Sequence, residues 1–149
     1  LARQQVSTSP WADRCQFQEL AAAGVGAASL IDTGPFSAIL ISGVMAYLND
    51  EDVETCLRGV REVVAATSVV YLREPVARAE RLTLTDHWSD DLEATYSACY
   101  RLPHEYRATL ERVFTGEGFR FTLDTQIDAM LENRSETTQH FFVLERVEA

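Results

Sequence analysis

The sequence contains no lysine, so all 13 basic side chains are arginines. This absence excludes Schiff-base chemistry, a phosphate-loop lysine and a lysine general base. The sequence also has no CxxC pair, and its three cysteines, Cys15, Cys56 and Cys99, stand far apart. That spacing argues against a zinc site or a disulfide framework and favours reduced thiols in a cytoplasmic protein. We therefore expect no bound metal.

Long apolar runs and excess positive charge are lacking as well. No run approaches the roughly 20 apolar residues of a membrane-spanning helix, so we expect no membrane partner. The formal net charge is −10 and the pI is about 4.7. Nucleic-acid binders normally present a basic surface, so this charge argues against a nucleic-acid partner. A small molecule or a peptide fits better as the substrate.

The chain has 149 residues, of which 46% are hydrophobic, enough for the core of one domain. Residues 36–42 form a nearly continuous apolar run, which is typical of a strand buried on both faces. Asn49 or Asp50 is suited to cap a helix. The expected buried stripe of that helix is Val53, Cys56, Leu57, Val60, Val63 and Val64. A second apolar run, residues 68–72, completes a strand, helix and strand, which favours an α/β fold with a parallel sheet.

Other elements follow from local patterns. Pro103 suits the first turn of a helix, which we expect to end at Gly116. Two further strands are predicted at residues 119–124 and 140–144. Upstream, residues 1–8 are typical of the end of a helix, and residues 14–20 predict a short strand.

The region from Arg73 to Leu102 stands out because it shows little regular periodicity. Connections in compact domains usually take about 2–6 residues. Long excursions after a parallel strand commonly build ligand sites. We therefore expect a long loop here that forms a pocket wall, with short helical turns around residues 90–100.

Several phrases in this order resemble one family. Residues 36–48, FSAILISGVMAYL, resemble the fourth strand and following turn of class I S-adenosylmethionine-dependent methyltransferases. The strand ending in residues 71–74, YLRE, resembles the fifth strand of that family. Residues 116–119, GEGF, and 141–144, FFVL, are similar to the phrases at its sixth and seventh strands. Small-molecule and amine N- or O-methyltransferases are the most similar members.

The resemblance implies a Rossmann-like methyltransferase sheet in a three-layer αβα arrangement, mostly parallel with an antiparallel C-terminal strand. Residues 1–149 would hold strands three to seven of the family fold. The first strand, with its glycine-rich turn that holds the cofactor, has no match among them. We expect an N-terminal segment or a partner chain, as in a homo-oligomer, to supply that part. The alternative is a catalytically inactive methyltransferase-like domain with a structural or regulatory role.

The resemblance also implies a cofactor, S-adenosylmethionine, with S-adenosylhomocysteine as the product, and methyl transfer to an N or O atom. Its contacts would be Glu19 and Leu20 near the adenine, and Ser42, Gly43, Val44 and Tyr47 near the methionine end. The alternative for Gly43 and Val44 is a simple turn with packing contacts.

Candidate substrate contacts come from the fifth strand and the region after it. They are Arg73, Glu74, Trp88, Tyr96, Tyr100 and Arg101. Arg73 and Glu74 follow the strand edge where substrates usually sit, although a structural ion pair is equally compatible with the sequence. Aromatic rings among these residues can hold a cationic or aromatic substrate by ring-face contact, or can pack the loop onto the domain. His87 is the candidate general base, because an imidazole accepts a proton near neutral pH.

Overall fold

The computed structural model describes residues 16–26, 34–90, 93–126 and 135–147. These residues form two α-helices and six strands. In chain order the elements are β1 (Phe36–Ser42), α1 (Asp50–Val63), β2 (Val64–Ala77), β3 (Leu82–Ser89), β4 (Ala94–Tyr100), α2 (Pro103–Phe114), β5 (Phe119–Gln126) and β6 (Thr137–Arg146).

Four of the strands form one sheet, in the order β1-β2-β6-β5. β1 pairs with β2 in parallel, and β6 lies antiparallel to both β2 and β5. Strands β1, β2 and β5 therefore run in one direction and the C-terminal strand β6 opposes them. This arrangement confirms the α/β, Rossmann-like sheet expected from the sequence, including its antiparallel last strand.

Helix α1 begins as its sequence predicts. The Asn49 side chain accepts a hydrogen bond from the Asp52 N–H at 2.8 Å, and three acidic residues occupy the first turn. These features satisfy free N–H groups and place negative charge at the positive end of the helix dipole. The predicted apolar stripe is buried as far as Val63, and Val64 already belongs to β2.

Helix α2 begins at Pro103, as predicted, and the Glu105 carboxylate accepts the N–H of Leu102 at 2.7 Å. Its apolar face and that of α1 join one core with alternate residues of the sheet. The described residues thus form a sheet and one helical layer of the expected three-layer arrangement. The largest side chains that are completely buried in the core include Tyr106, Phe114, Phe142, Met45, Leu57 and Leu72.

The region after β2 differs from the expected irregular loop. Strands β3 and β4 form an antiparallel hairpin, in which Leu82 pairs with Tyr100 and His87 with Tyr96. The prediction of short helical turns around residues 90–100 was wrong, because residues 94–100 alternate between inward and outward side chains at the period of a strand. Ala98 and Tyr100 pack inward with Leu82 and Leu84 in a second small cluster.

The N-terminal part also corrects one prediction. Residues 16–20 are exposed and have no regular secondary structure, so the strand predicted there is absent from the described residues. A strand is defined by a hydrogen-bonded neighbour, and no ladder among the described residues includes this segment. The predicted helix end in residues 1–8, together with Arg14 and Cys15, lies outside the described residues.

Candidate functional site

The carboxyl ends of β1 and β2 lie at the same edge of the sheet because the two strands are parallel. Ser42 pairs with Arg73, and the N–H of Gly43 donates to the Arg73 carbonyl at 2.9 Å. Gly43 adopts a φ of 66°, a region that favours glycine, and there the chain turns away from the strand. The predicted cofactor contacts Ser42, Gly43 and Val44 are exposed side by side at this edge.

Glu74 holds the loop that follows β1. Its side chain is 0% exposed, and its Oε1 and Oε2 accept hydrogen bonds from the N–H groups of Val44 at 2.9 Å and Ala46 at 3.4 Å. Burial raises the pKa of Glu74, and the loop N–H groups that bind its charged form oppose this rise. The interpretation of Glu74 as a substrate contact is corrected here, because its carboxylate is enclosed and already engaged.

Arg101 holds the same loop by binding the carbonyl groups of the loop. The guanidinium is 3% exposed and donates to the carbonyls of Met45 at 3.0 Å and Leu48 at 2.7 Å. Its Nε donates to Oδ1 of Asp50 at 2.7 Å, at the start of α1. Burial lowers the pKa of Arg101, but its interactions with Asp50, Tyr106 and Cys99 together outweigh burial, and the pKa is raised overall. The predicted substrate role of Arg101 is therefore also corrected.

Glu74 and Arg101 together form what we call the loop clamp. The carboxylate accepts hydrogen bonds from the N–H groups of residues 44 and 46, while the guanidinium donates hydrogen bonds to the C=O groups of residues 45 and 48. Nothing in the sequence signals this pairing of groups from β2 and from the end of β4. The clamp fixes the loop between β1 and α1 by its backbone, and so fixes where Val44 and Tyr47 stand.

Arg81, at the base of the hairpin, was not singled out from the sequence. Its guanidinium donates to both carboxylate oxygens of Asp50, at 2.8 and 2.9 Å, and to Glu105 at 3.0 Å. Although partial burial raises the pKa of Asp50, hydrogen bonds from Arg81 and Arg101 hold that pKa below its ordinary value. Arg81 thus ties the hairpin to the first turns of both helices.

The hairpin forms one wall of a cavity of about 530 Å³. The cavity is lined by Leu82, Leu84, His87, Trp88, Ser89, Asp90, Tyr96, Tyr100, Glu136 and Thr137. Four predicted site residues, His87, Trp88, Tyr96 and Tyr100, are thereby brought together. This volume lies within the range of about 300–1,000 Å³ that is usual for small-molecule sites.

An aromatic series connects this cavity, which we call the hairpin cavity, to the clamped loop. The ring of Tyr96 lies 6.5 Å from that of Tyr47 and 5.8 Å from that of His87, both edge to face. Tyr47 is 58% exposed although its loop is anchored on both sides. The predicted cofactor loop and the predicted substrate residues are therefore neighbours.

The remaining candidates lie around these two groups. Arg73 is engaged by Gln139, with 3.2 Å between its Nε and the amide oxygen, and remains an exposed edge residue. Glu19 and Leu20 are exposed in the segment without regular structure, and their contact with adenine stays a prediction. Within the described ranges, no group of three or more His, Cys, Asp or Glu side chains is arranged to hold a metal ion.

His140 is a buried histidine that is not among the candidate site residues named from the sequence. His140 pairs with Glu74 across β6 and β2, and its Nε2 lies 2.7 Å from Oδ1 of Asp124. Its ring stacks on Phe142 with 4.5 Å between the ring centroids. These contacts lie on the face of the sheet that packs against the core, and not in the hairpin cavity. We therefore assign His140 a structural role.

Structural comparison identifies the fold. A Burkholderia thailandensis 1,6-didemethyltoxoflavin-N1-methyltransferase, solved with bound 1,6-didemethyltoxoflavin and S-adenosylhomocysteine, matches 97% of this chain with a TM-score of 0.69 and 9% identity. The glycopeptide N-methyltransferase MtfA matches 94% of the chain, with a TM-score of 0.61 and 18% identity. An S-adenosylmethionine-dependent methyltransferase from Methanosarcina mazei matches 98%, with a TM-score of 0.64 and 9% identity. The chain has the fold of class I methyltransferases.

The match is in structure and not in sequence. No protein-family model matches the sequence, and no curated protein sequence is detectably similar to it. The chain spans 56%, 66% and 76% of the lengths of the three structures named above. None of the described helices has the length and apolar character needed to cross a membrane.

Proposed function

We propose that this chain forms the substrate side of an S-adenosylmethionine-dependent methyltransferase that methylates an N or O atom of a small molecule or a modified peptide. The observation that supports it most is the position of the hairpin cavity beside the clamped loop. In an α/β sheet, ligands bind outside the carboxyl ends of the strands, and both features lie at that edge. The solved methyltransferases with the same fold support the choice of reaction.

The residues at the edge fit a cofactor. A Cβ atom on Gly43 would meet nothing within 4 Å, so the space beside the turn is open. The N–H groups of Gly43, Val44 and Ala46 are already bound to Arg73 and Glu74. The loop therefore offers a ligand its side chains and its Cα surface, through Ser42, Gly43, Val44 and Tyr47, with Glu19 and Leu20 toward the adenine.

S-adenosylmethionine, when bound, supplies an electrophilic methyl group carried on a sulfonium sulfur. The protein's task is then mainly to align the acceptor with that group and to exclude water. In this proposal Trp88, Tyr96 and Tyr100 hold the acceptor, Arg73 borders it, and an imidazole nitrogen of His87 accepts the proton that the acceptor atom loses.

Calorimetric titration of the full-length protein with S-adenosylhomocysteine tests the proposal. We expect saturable binding, and we expect Gly43→Ala to weaken it by at least about tenfold, because a side chain is strained at this φ and intrudes into the open space. Gly118→Ala is the matched control. Gly118 also has a positive φ, of 82°, and open space around it, but it precedes β5 at the opposite edge of the sheet.

Two outcomes would overturn the proposal. Absence of binding to both S-adenosylmethionine and S-adenosylhomocysteine in the folded, full-length protein would leave a methyltransferase fold without cofactor, as in a structural or regulatory partner. Equal loss of affinity in the Gly43 and Gly118 variants would mean that the edge at Gly43 is not the cofactor site.

A further inference from the structure

We propose that the hairpin cavity binds a positively charged group of its ligand. This inference deepens the proposed function, since it treats the cavity as the acceptor side of the methyltransferase. It rests on the charge and aromatic character of the cavity lining, and its test requires no methyl transfer.

The charged side chains among the described residues that line the cavity are all acidic. Among the described lining residues, Asp90 and Glu136 are acidic, and none is arginine. The nearby Arg78 is turned to the backbone, where its Nε donates to the Thr137 carbonyl at 3.2 Å. Arg81 is bound to Asp50 and Glu105 on the helices. An anionic ligand would thus meet two carboxylates with no lining guanidinium to balance them.

The aromatic side chains favour the same class of ligand. Trp88 is 57% exposed, an unusual position for the largest apolar side chain, and its indole N–H donates to Oδ1 of Asp90 at 2.9 Å. This bond holds a carboxylate beside an exposed indole. A cation placed over such a ring is attracted by the electron-rich face, and tryptophan binds cations most strongly among the aromatic side chains. Tyr96 and Tyr100 add two further rings to the lining.

The chemistry of methyl transfer limits what this cation can do. A nitrogen that is quaternary, or that stays protonated while it is bound, has no lone pair, so it cannot itself attack an electrophilic methyl group. The charged group bound by Trp88, Asp90 and Glu136 is therefore a handle that orients the ligand. The methylated N or O atom lies elsewhere on the same molecule, toward Tyr47 and the clamped loop. The substrate class is thus a small molecule or peptide with a fixed cationic group and a separate nucleophilic atom.

Three ring compounds of similar size separate charge from simple apolar contact: phenyltrimethylammonium, benzyl alcohol and benzenesulfonate. Each tryptophan gives one indole N–H signal in the NMR spectrum, and the signal that is absent from a Trp88→Phe variant is assigned to Trp88. We expect phenyltrimethylammonium to shift the Trp88 signal with an affinity about tenfold above that of benzyl alcohol. Benzenesulfonate should not shift it.

Variants that remove one charge test the local origin of this preference. Asp90→Asn and Glu136→Gln should each lower the affinity for phenyltrimethylammonium by about threefold or more and leave the affinity for benzyl alcohol unchanged. Each should also reduce the dependence of phenyltrimethylammonium binding on added salt. Glu117→Gln makes the same change in net charge at the opposite edge of the sheet, where Glu117 contacts Arg61, and should change nothing. Equal effects of all three variants would overturn the inference, as would binding of benzenesulfonate at least as strong as that of the cation.

The two proposals can fail separately. If the cation binds the cavity but the full-length protein binds no S-adenosylhomocysteine, the cavity is a cation site on a domain that is not a methyltransferase. If S-adenosylhomocysteine binds at Gly43 but the cation does not prefer the hairpin cavity, the methyltransferase remains and the substrate class is wrong.

Discussion

The loop clamp and the hairpin cavity lie next to each other, yet they use charge in opposite ways. In the clamp, the carboxylate of Glu74 and the guanidinium of Arg101 are buried and bind the backbone of one loop, and Arg101 also binds Asp50 at the start of α1. In the hairpin cavity, Asp90 and Glu136 stand in the lining together with the exposed Trp88. Buried charges specify one conformation because every lost bond is costly, whereas exposed groups remain free to meet a ligand.

From the sequence, Glu74, Arg101 and Trp88 are all candidate substrate contacts, but the structure separates two tasks: fixing the loop and lining the cavity. In the proposed function a methyl acceptor must be aligned closely, so the loop proposed to face the cofactor would benefit from a fixed backbone. The walls around the acceptor determine which ligand enters. We expect variants of the clamp to change stability first and variants of the cavity to change ligand preference first.

The largest effect on folding stability is expected for Arg101→Met. The substitution leaves the carbonyls of Met45 and Leu48 without their buried donor and should lower the free energy of unfolding by about 3–5 kcal/mol. Urea unfolding followed by circular dichroism measures it. Arg58→Met is the matched control, since Arg58 makes an exposed pair with Glu54 within α1 and should remain near wild type. Similar unfolding curves for the two variants would show that Arg101 does not hold the loop.

A smaller loss of folding stability, with a characteristic pH dependence, is expected for Glu74→Gln. An amide offers one acceptor oxygen where the carboxylate offers two, so one loop N–H loses its partner, at a cost of about 1–3 kcal/mol. Amide hydrogen exchange should become faster at Val44 or Ala46 while the exchange of Val70, in the core, changes less. Equal acceleration at all three positions would indicate general destabilisation and not release of the loop.

The pH dependence follows from the raised pKa of Glu74. A carboxyl whose pKa is raised on folding contributes stability that is fully present below its ordinary pKa of 4.5 and is lost as the pH rises through the folded value. Glutamine does not ionise. The stability of the wild type relative to Glu74→Gln should therefore fall as the pH is raised from about 4.5, in paired urea titrations. A relative stability that rises with pH would contradict the burial of this carboxylate.

The smallest effect on stability is expected in the hairpin cavity. Trp88→Ala removes an exposed ring, so the free energy of unfolding should change by less than about 0.5 kcal/mol. The same variant should lose the preference for phenyltrimethylammonium over benzyl alcohol. Phe142→Ala, which removes a ring from the core, should cost about 3–5 kcal/mol and provides the contrast. A Trp88 variant as unstable as the Phe142 variant would mean that the indole packs the fold.

Much of the fold follows from local patterns in the sequence. The strand β1, the capped start of α1 at Asn49 and the start of α2 at Pro103 each occur where the sequence predicts them. In each case the signal lies within a few residues, as a period or as a cap. The expectation that β1 is buried on both faces was wrong, because β1 is an edge strand of the described sheet and Leu40 is 70% exposed. The hairpin was missed although residues 94–100 alternate, because a bulge between Leu84 and His87 interrupts the pairing and Asp86 has a φ of 49°.

The candidate site was only partly predictable. His87, Trp88, Tyr96 and Tyr100 line one cavity, since they come from one short region that closes on itself as a hairpin, and their roles toward a substrate stay predictions. Glu74 and Arg101 were grouped with them because Glu74 follows the apolar run of residues 68–72 and Arg101 directly follows Tyr100. Their actual contacts reach 28 to 56 residues along the chain, to the loop after β1, and no local pattern encodes such a distance.

The sequence alone determined the positions of β1, α1, β2, the start of α2 and the last two strands, the family resemblance, and the acidic, lysine-free composition, because composition and periodicity are local properties of the chain. Only the tertiary structure decided which charges serve the fold and which face a ligand. That decision depends on burial, which raises the cost of an unpaired charge, and on distances between segments far apart in the sequence. Glu74 and Asp90 are both acidic residues of the region where the sequence predicts substrate contacts, but Glu74 is completely buried whereas Asp90 lines the cavity.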